Sequence, residues 1–362
     1  MYLKGTVSKV TLTAGGRVNL ARRYFRCPAC GWTSYPLDQR VGLADFLSPH
    51  ATRLACLAVA SWSFDVAADR LAELAGLRVD DETLRRHTLP AAQALLARRA
   101  AEQPAAAPFA AATGRVEFTT DGVLAPTRDG WREVKIAVFQ KRPDGAGATP
   151  DEWATRVLPA ATAAVAFAQL TDCDTFADHW GDWAKRLGVT ADDALTVLGD
   201  GAAWIWNRTA EQFPTASMVL DIFHASEHIA TAARVLFGEG SGAGRVWTAR
   251  FRRRLLGDGW PGVCDEIGDL LSGGALSAVG QTAVDELVSY LAGQSARLGY
   301  FARLQAGRSI GSGAVEGLAK RVGQRLKVAG QGWEASHIDP MATLAIAVHS
   351  KEWDDLWKPS LV

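Results

Sequence analysis

Hydrophobic and polar side chains change their spacing three times along the chain. Up to about residue 26 they alternate, with Val7, Val10 and Leu12 on one side of Gly15-Gly16 and Val18 and Leu20 on the other, which predicts a β-hairpin. From Leu43 to about Arg99 the spacing becomes helical, with Leu54, Leu57, Ala58 and Trp62 followed by Val66, Leu71 and Leu74. Gly76 is expected to close one helix there, and Asp80 and Asp81 are the candidates to cap the next. From Val116 the apolar runs shorten to strand length, at 116–120, 133–139, 164–170, 195–198 and 218–221, with helical spacing at 175–187 and 203–212 between the last three. Beyond His224 the helical spacing returns.

Two of the strand-like runs stop on a carboxylate. L-T-V-L-G-D-G (195–201) ends on Asp200 and V-E-F-T-T-D-G (116–122) ends on Asp121, each followed by a glycine that predicts a turn. Strand ends are where α/β proteins commonly present reactive groups, and two such aspartates in neighbouring strands offer the hard oxygens that a divalent metal takes. Three strands, then helix, strand, helix, strand, is the element order of an RNase H-like fold. The first and fourth strands are adjacent in that fold, so the order is expected to bring Asp121 and Asp200 together. A third acid, Glu316, falls in the first turn of a helix that follows R-S-I-G-S-G (308–313), where it also reads as a favourable partner for the helix dipole. Two strand-end aspartates with a helix-borne glutamate are a ligand set for two-metal phosphoryl transfer, with ions ~3.5–4 Å apart. The expected metal is Mg²⁺ or Mn²⁺.

Composition narrows the partners. Lys plus Arg and Asp plus Glu number 39 each, so no whole-molecule field draws the chain to nucleic acid and only local patches can. One such patch is R-V-W-T-A-R-F-R-R-R-L-L (245–256), where Arg252, Arg253 and Arg254 accompany Trp247 and Phe251 in the manner of a nucleic-acid groove. Another follows Glu316, with Lys320, Arg321, Arg325 and Lys327. Each reads equally as a solvated helix face. Arg85 and Arg86, early in the helix after Asp80, complete the outline of a helix-turn-helix, which an ordinary helical bundle shares. The Ala/Pro-rich stretch 101–114 has linker composition. No apolar stretch reaches the roughly 20 residues of a membrane span, and no signal-peptide pattern opens the chain, so a cytoplasmic location is expected. Five cysteines, an odd number, argue against a disulfide framework. Cys56, Cys173 and Cys264 read as buried small hydrophobes. C-P-A-C-G (27–31) is half a zinc site: Cys27 and Cys30 lack a second pair, and His50 with Cys56 is a poor substitute.

D-G-V (121–123), W-R-E-V-K (131–135), G-D-G-A-A-W-I-W (199–206), L-D-I-F-H-A-S-E-H (220–228), I-G-S-G-A-V-E-G (310–317) and W-D-D-L-W (353–357), in that order, resemble the DDE transposases of the Kra group of bacterial insertion sequences, relatives of the Mutator-like transposases. The resemblance runs from about Arg22 to the C-terminus. It implies an α/β protein whose RNase H-like core (115–223 and 309–362) is interrupted by an all-helical insertion (224–308). A zinc-knuckle-like hairpin (1–42) and a helical domain (43–100) come before it. It also implies Asp121, Asp200 and Glu316 as the metal-binding triad. Asp221-Ile-Phe-His224 matches the Cys/Asp-x-x-His motif of the Mutator-like enzymes, which implies that His224 supports the site or orients the scissile phosphate; the bland readings are a helix cap for Asp221 and a packed imidazole for His224. The implied partners are transposon ends and target DNA, bound by a homodimer in the nucleoid, without a membrane. Trp204 and Trp206 are candidates for stacking on unpaired bases, and equally for the core. Proteins of this kind usually carry a further N-terminal cysteine pair, so a shortened copy impaired in end recognition is one expectation.

Two other function classes fit parts of the sequence. One is a catalytically impaired or domesticated DNA-binding protein. The other is a zinc metalloprotease, because His224, Glu227 and His228 fit the inverted H-x-x-E-H motif.

Overall fold

The structure, a computed structural model, describes residues 1–328 and 330–358. Strands β1 (Tyr2–Thr13) and β2 (Gly16–Arg26) form the expected hairpin, and β3 (Thr33–Ser34) pairs with β2 after the Cys27–Gly31 turn. Helices Pro49–Val59, Phe64–Ala75 and Asp81–Glu102 follow. Gly76 closes the second of them with a left-handed backbone (φ 64°) that glycine adopts at no steric cost. Asp80 caps the third by accepting the Thr83 amide at 2.7 Å.

Five further strands make one mixed sheet: β4 (Arg115–Thr127), β5 (Gly130–Arg142), β6 (Ala163–Gln169), β7 (Thr196–Gly199) and β8 (Ser217–Leu220), in the order β6-β5-β4-β7-β8. β4, β5 and β6 pair antiparallel, β4 and β5 through a tight turn at Arg128-Asp129. β7 pairs parallel with β4, and β8 with β7; helices Cys173–Arg186 and Ala203–Gln212 supply the crossovers that parallel pairing requires. The first and fourth strands of this unit are therefore neighbours. One expectation fails: β4 does not stop in an Asp-Gly turn at Asp121. Its apolar alternation continues through Val123 and Ala125 against Val134 and Arg132 of β5, so Asp121 lies inside a strand whose parallel neighbour has already ended.

Each face of the sheet has its own core. Val123, Ala125, Val134, Ile136 and Val138 pack against helices Gly313–Leu326 and Ala335–His349, and the N-terminal helices join the same cluster. Val116, Phe118, Ala137, Phe139, Val165 and Phe167 lie under the crossover helices, helix Ile222–Phe237 and the helices after it, Gly242–Asp258, Trp260–Ser272, Ala278–Gly293 and Tyr300–Gln305. The stretch read as a linker belongs to this second core. Helix Asp81–Glu102 runs into it, Ala106–Ala111 is helical, and Phe109 is fully buried. Alanine favours helix, and Pro104 and Pro108 fall in a turn and in a first helical turn, where no amide donor is needed. Cys56 is buried as expected, whereas Cys264 is exposed and Cys173 half-exposed. Among the described residues no helix is long and apolar enough to cross a membrane.

A buried ion pair ties the N-terminal helices to the C-terminal segment. Arg99 donates to Glu352 through Nε and through Nη2 (2.8 Å), and to the Ala166 carbonyl (2.6 Å), with both side chains out of water. Arg99→Ala is expected to cost about 3–5 kcal/mol by leaving Glu352 buried without a partner, and Arg99→Met combined with Glu352→Leu is expected to recover most of the loss. Urea denaturation of the variants measures both.

Candidate active site

The site begins with strand register. β4 and β7 pair Glu117 with Thr196, Phe118 with Val197 and Thr119 with Leu198, and two further steps along this register bring Asp121 beside Asp200. β7 and β8 pair Gly199 with Leu220, so the next step puts Asp200 beside Asp221. Three aspartates thus form a row across the sheet. Alternate residues of a strand share a face, so Asp121 lies on the face of Val123, against the helix Gly313–Leu326; a Cβ on Gly323 of that helix would stand 2.9 Å from Val123. The same helix carries Glu316 in its first turn.

The three aspartates differ in surroundings. Burial first, then the charge of Asp200 and that of Glu133, push the Asp121 carboxyl above its ordinary range, against the pull of the Gly122 amide (2.7 Å) and His224. Glu133 comes close because residue 122 is glycine: a Cβ there would run into its carboxylate. Glu133 also pairs with Lys135 (2.6 Å), whose ammonium lies 5.0 Å from the Trp204 ring centre. Asp200 accepts the Ala202 amide at 2.9 Å. Its backbone is held from the far side, where Tyr290 donates its hydroxyl to the Asp200 carbonyl (2.8 Å) and Gln294 donates to the Gly201 carbonyl (3.0 Å). Burial, reinforced by Asp200, Asp221 and Glu227, raises the Tyr290 hydroxyl far above its usual range and keeps it a donor.

Asp221 is wholly buried and fully engaged. It caps helix Ile222–Phe237 by accepting the amides of Phe223 (2.5 Å) and His224 (3.2 Å), and its second oxygen accepts the amide and the hydroxyl (2.5 Å) of Ser312. The Ser312 oxygen is also 2.8 Å from Glu316 Oε1. Burial raises the Glu316 carboxyl, the Ser312 hydrogen bond opposes that, and the neighbouring Asp221 raises it further. His224 is half-exposed and within electrostatic reach of both Asp121 and Glu316. His228, one turn on, stacks on Tyr290 with ring centres 3.7 Å apart.

Asp121 and Asp200 fit a divalent cation: they are two hard carboxylates in register, with a repulsion that a cation would relieve, and Mg²⁺ is commonly held by one or two carboxylates plus water and phosphate. Glu316 is directed instead to Ser312 and Asp221. Among the described residues no group of three or more His, Cys, Asp or Glu side chains stands close enough to share one ion. The knuckle is nonetheless shaped for thiolate, because the Cys30 and Ala29 amides lower the Cys27 pKa. His50 is exposed and Cys56 is sealed in a helix core, so that pair does not complete a zinc site.

The basic residues divide. Arg85, Arg86, Arg253, Lys320, Arg321 and Lys327 are exposed, with Arg85 paired to Glu82 and Arg253 to Asp151 (2.9 Å). Arg254 is drawn to Glu266 and Asp269. Arg325 is not available to a phosphate: it is 1% exposed, donates to the Val59 carbonyl and lies 5.0 Å from each of the Phe64 and Trp333 rings, and burial lowers its pKa to about 10. Trp247 and Phe251 are core residues, since positions four apart share one helix face and that face turns inward. Trp206 is buried beneath Arg297, and Trp204 is half-buried against Trp180, so Trp206 cannot stack on a base. No local pattern singles out Tyr290 or Gln294; Ser312 and Glu133 lie within the motifs, but only the fold assigns them a contact. No protein-family model matches the chain, and no curated protein matches it significantly.

A carboxyl whose pKa is raised on folding binds more protons in the folded state than in the unfolded one. Its relative stabilisation is therefore present below the unfolded pKa and lost as pH rises through the folded pKa. In metal-free buffer Asp121→Asn is expected to melt at a higher temperature than wild type at about pH 7 and to lose that advantage near pH ~4. Added Mg²⁺ should raise the melting temperature of wild type more than that of the variant. Scanning fluorimetry across pH, with and without Mg²⁺, reads both effects; a variant less stable than wild type at neutral pH would contradict the assignment.

Proposed function

We propose that the protein is a DDE-type DNA transposase, a metal-dependent enzyme that cleaves strands at the ends of an insertion sequence and joins the 3′ ends to target DNA. The observation that carries this reading is the register of Asp121 beside Asp200 on adjacent parallel strands, with the Glu316 helix on the same face. The strand order and the mixture of antiparallel and parallel pairs agree with an RNase H-like sheet, and the helices between Ile222 and Gln305 fall between the second aspartate and the glutamate, as an insertion would.

In this reading Asp121 and Asp200 would hold Mg²⁺ or Mn²⁺, which when bound would supply Lewis-acid polarisation of a phosphodiester and a lowered pKa for the attacking hydroxyl. The remaining work is done by side chains. Ser312 orients the Glu316 carboxylate at the rim of the site. His224 offers a ring N–H to a phosphate oxygen between Asp121 and Glu316. Tyr290 keeps the Asp200 turn from moving. Lys320, Arg321, Lys327, Arg252 and Arg253 contact backbone phosphates. A homodimer on paired ends belongs to the same reading.

A strand-transfer assay with Mg²⁺ and labelled duplexes bearing the repeats that flank the gene tests it. Wild type is expected to nick and join, and Asp200→Asn to lose at least about a hundred-fold in rate while still binding DNA. Binding without cleavage in any divalent cation would instead favour a non-catalytic DNA-binding protein. Affinity should fall steeply with salt, and each of Lys320→Ala, Arg321→Ala and Lys327→Ala should reduce the slope of log affinity against log salt by about 1; Arg325→Leu should leave that slope unchanged.

A further inference from the structure

Beside the carboxylate row an exposed phenylalanine meets a partly buried tryptophan. Ile222, Ala225 and Ile229 of the helix Ile222–Phe237 are buried, but Phe223 is 51% exposed. It is nevertheless fixed in place: its amide is held by Asp221, and its ring lies against Gly311, where a Cβ would come within 2.9 Å of it. Trp153 faces it, with ring centres 5.7 Å apart and planes at 52°. The Arg252 guanidinium lies 5.1 Å from the centre of the Trp153 ring. Trp153 comes from the connection between β5 and β6, which is pinned rather than free: the Gly145 amide donates to Gly307 (2.8 Å) and the Ala148 amide to Leu304 (2.9 Å). Phe223, Trp153 and Arg252 therefore form a run of neighbours from three separate elements, and His224 follows Phe223 on the helix that Asp221 caps.

An exposed aromatic ring backed by a tryptophan and a guanidinium suits a nucleobase better than a paired duplex. Every base has a π-face that stacks on an aromatic ring, and arginine adds a cation–π contribution and a phosphate contact. In a duplex those faces are already occupied by neighbouring bases. We propose that Phe223 and Trp153, with Arg252, form a stacking site for one unpaired base of DNA, next to the phosphodiester held at Asp121 and Asp200. The inference rests on the DNA reading above and extends it: the DNA is bound with its reacting end unpaired. The stacking role that the sequence offered to Trp206, which is buried, passes to Phe223 and Trp153.

The test uses the full-length protein in EDTA, so that no cleavage intervenes, and a forked duplex with 2-aminopurine in its unpaired arm. Wild type is expected to quench the probe and to bind the fork about ten-fold or more tighter than a blunt duplex of equal length. Trp153→Ala and Phe223→Leu should each remove the quenching and most of the preference while leaving duplex affinity within about two-fold, and Trp153→Phe, which keeps a π-face, should retain both. Thermal melts by circular dichroism show whether each variant is folded, and Phe223→Leu, which changes an exposed position, is the safer of the two. Unchanged quenching and preference in both variants, or equal losses for fork and duplex, overturn the stacking site and leave the DNA reading intact. Failure of wild type to bind either DNA overturns that reading and the site with it.

Discussion

The parallel pairing of the short strand β7 between β4 and β8 is the constraint on which the site depends. A strand's side chains alternate between faces, so a slip of one residue would carry Asp200 to the face opposite Asp121 and separate the pair. Val197 and Leu198 are both buried, and β7 is held by hydrogen bonds on both edges, to β4 and to β8. The longer pairing of β4 with β5 adds support from the other side, extending past Asp121 and keeping that residue on straight backbone.

A row of carboxylates is costly to bring together, and each member meets the cost differently. Asp221 is satisfied by four hydrogen bonds and acts as the hinge-pin between the helix Ile222–Phe237 and the Ser312 turn. Asp121 accepts the Gly122 amide, but burial, with the charge of Asp200 beside it, raises its proton affinity. Asp200 sits on a turn held by groups from the helical segment between Ile222 and Gln305. Tyr290 and Gln294 grip the turn after β7, and Tyr300 donates to the Leu220 carbonyl (2.9 Å) at the end of β8. That segment is thus part of the scaffold that aims the acids. Its outer surface carries Arg252 and Arg253, so one body both fixes the site and lines the approach to it.

The two cores explain why basic residues with similar neighbours along the chain end in opposite places. Arg321 and Arg325 are one turn apart and share a helix face, but Phe64 and Trp333 close over the turn that carries Arg325, whereas Arg321, one turn earlier, is exposed. A guanidinium can be buried there because aromatic faces and the Val59 carbonyl replace part of its water.

Much of this protein was legible along the chain. Alternation and helical spacing located the hairpin and the five sheet strands, Gly76 and Asp80 marked helix ends through local backbone chemistry, and the order of elements made neighbours of the strands bearing Asp121 and Asp200. Those features depend on interactions within a few residues, or on the few ways in which such an order can pack. The alanine-rich stretch at 101–114 misled, because linker composition and a short helix with one buried phenylalanine look alike until the core around Phe109 exists. The contact of Ser312 with Asp221, the grip of Tyr290 on Asp200, the burial of Arg325 and the pairing of Phe223 with Trp153 were decided by tertiary structure alone. Each joins residues far apart in sequence through a distance or an orientation, and no local pattern of residue types encodes either.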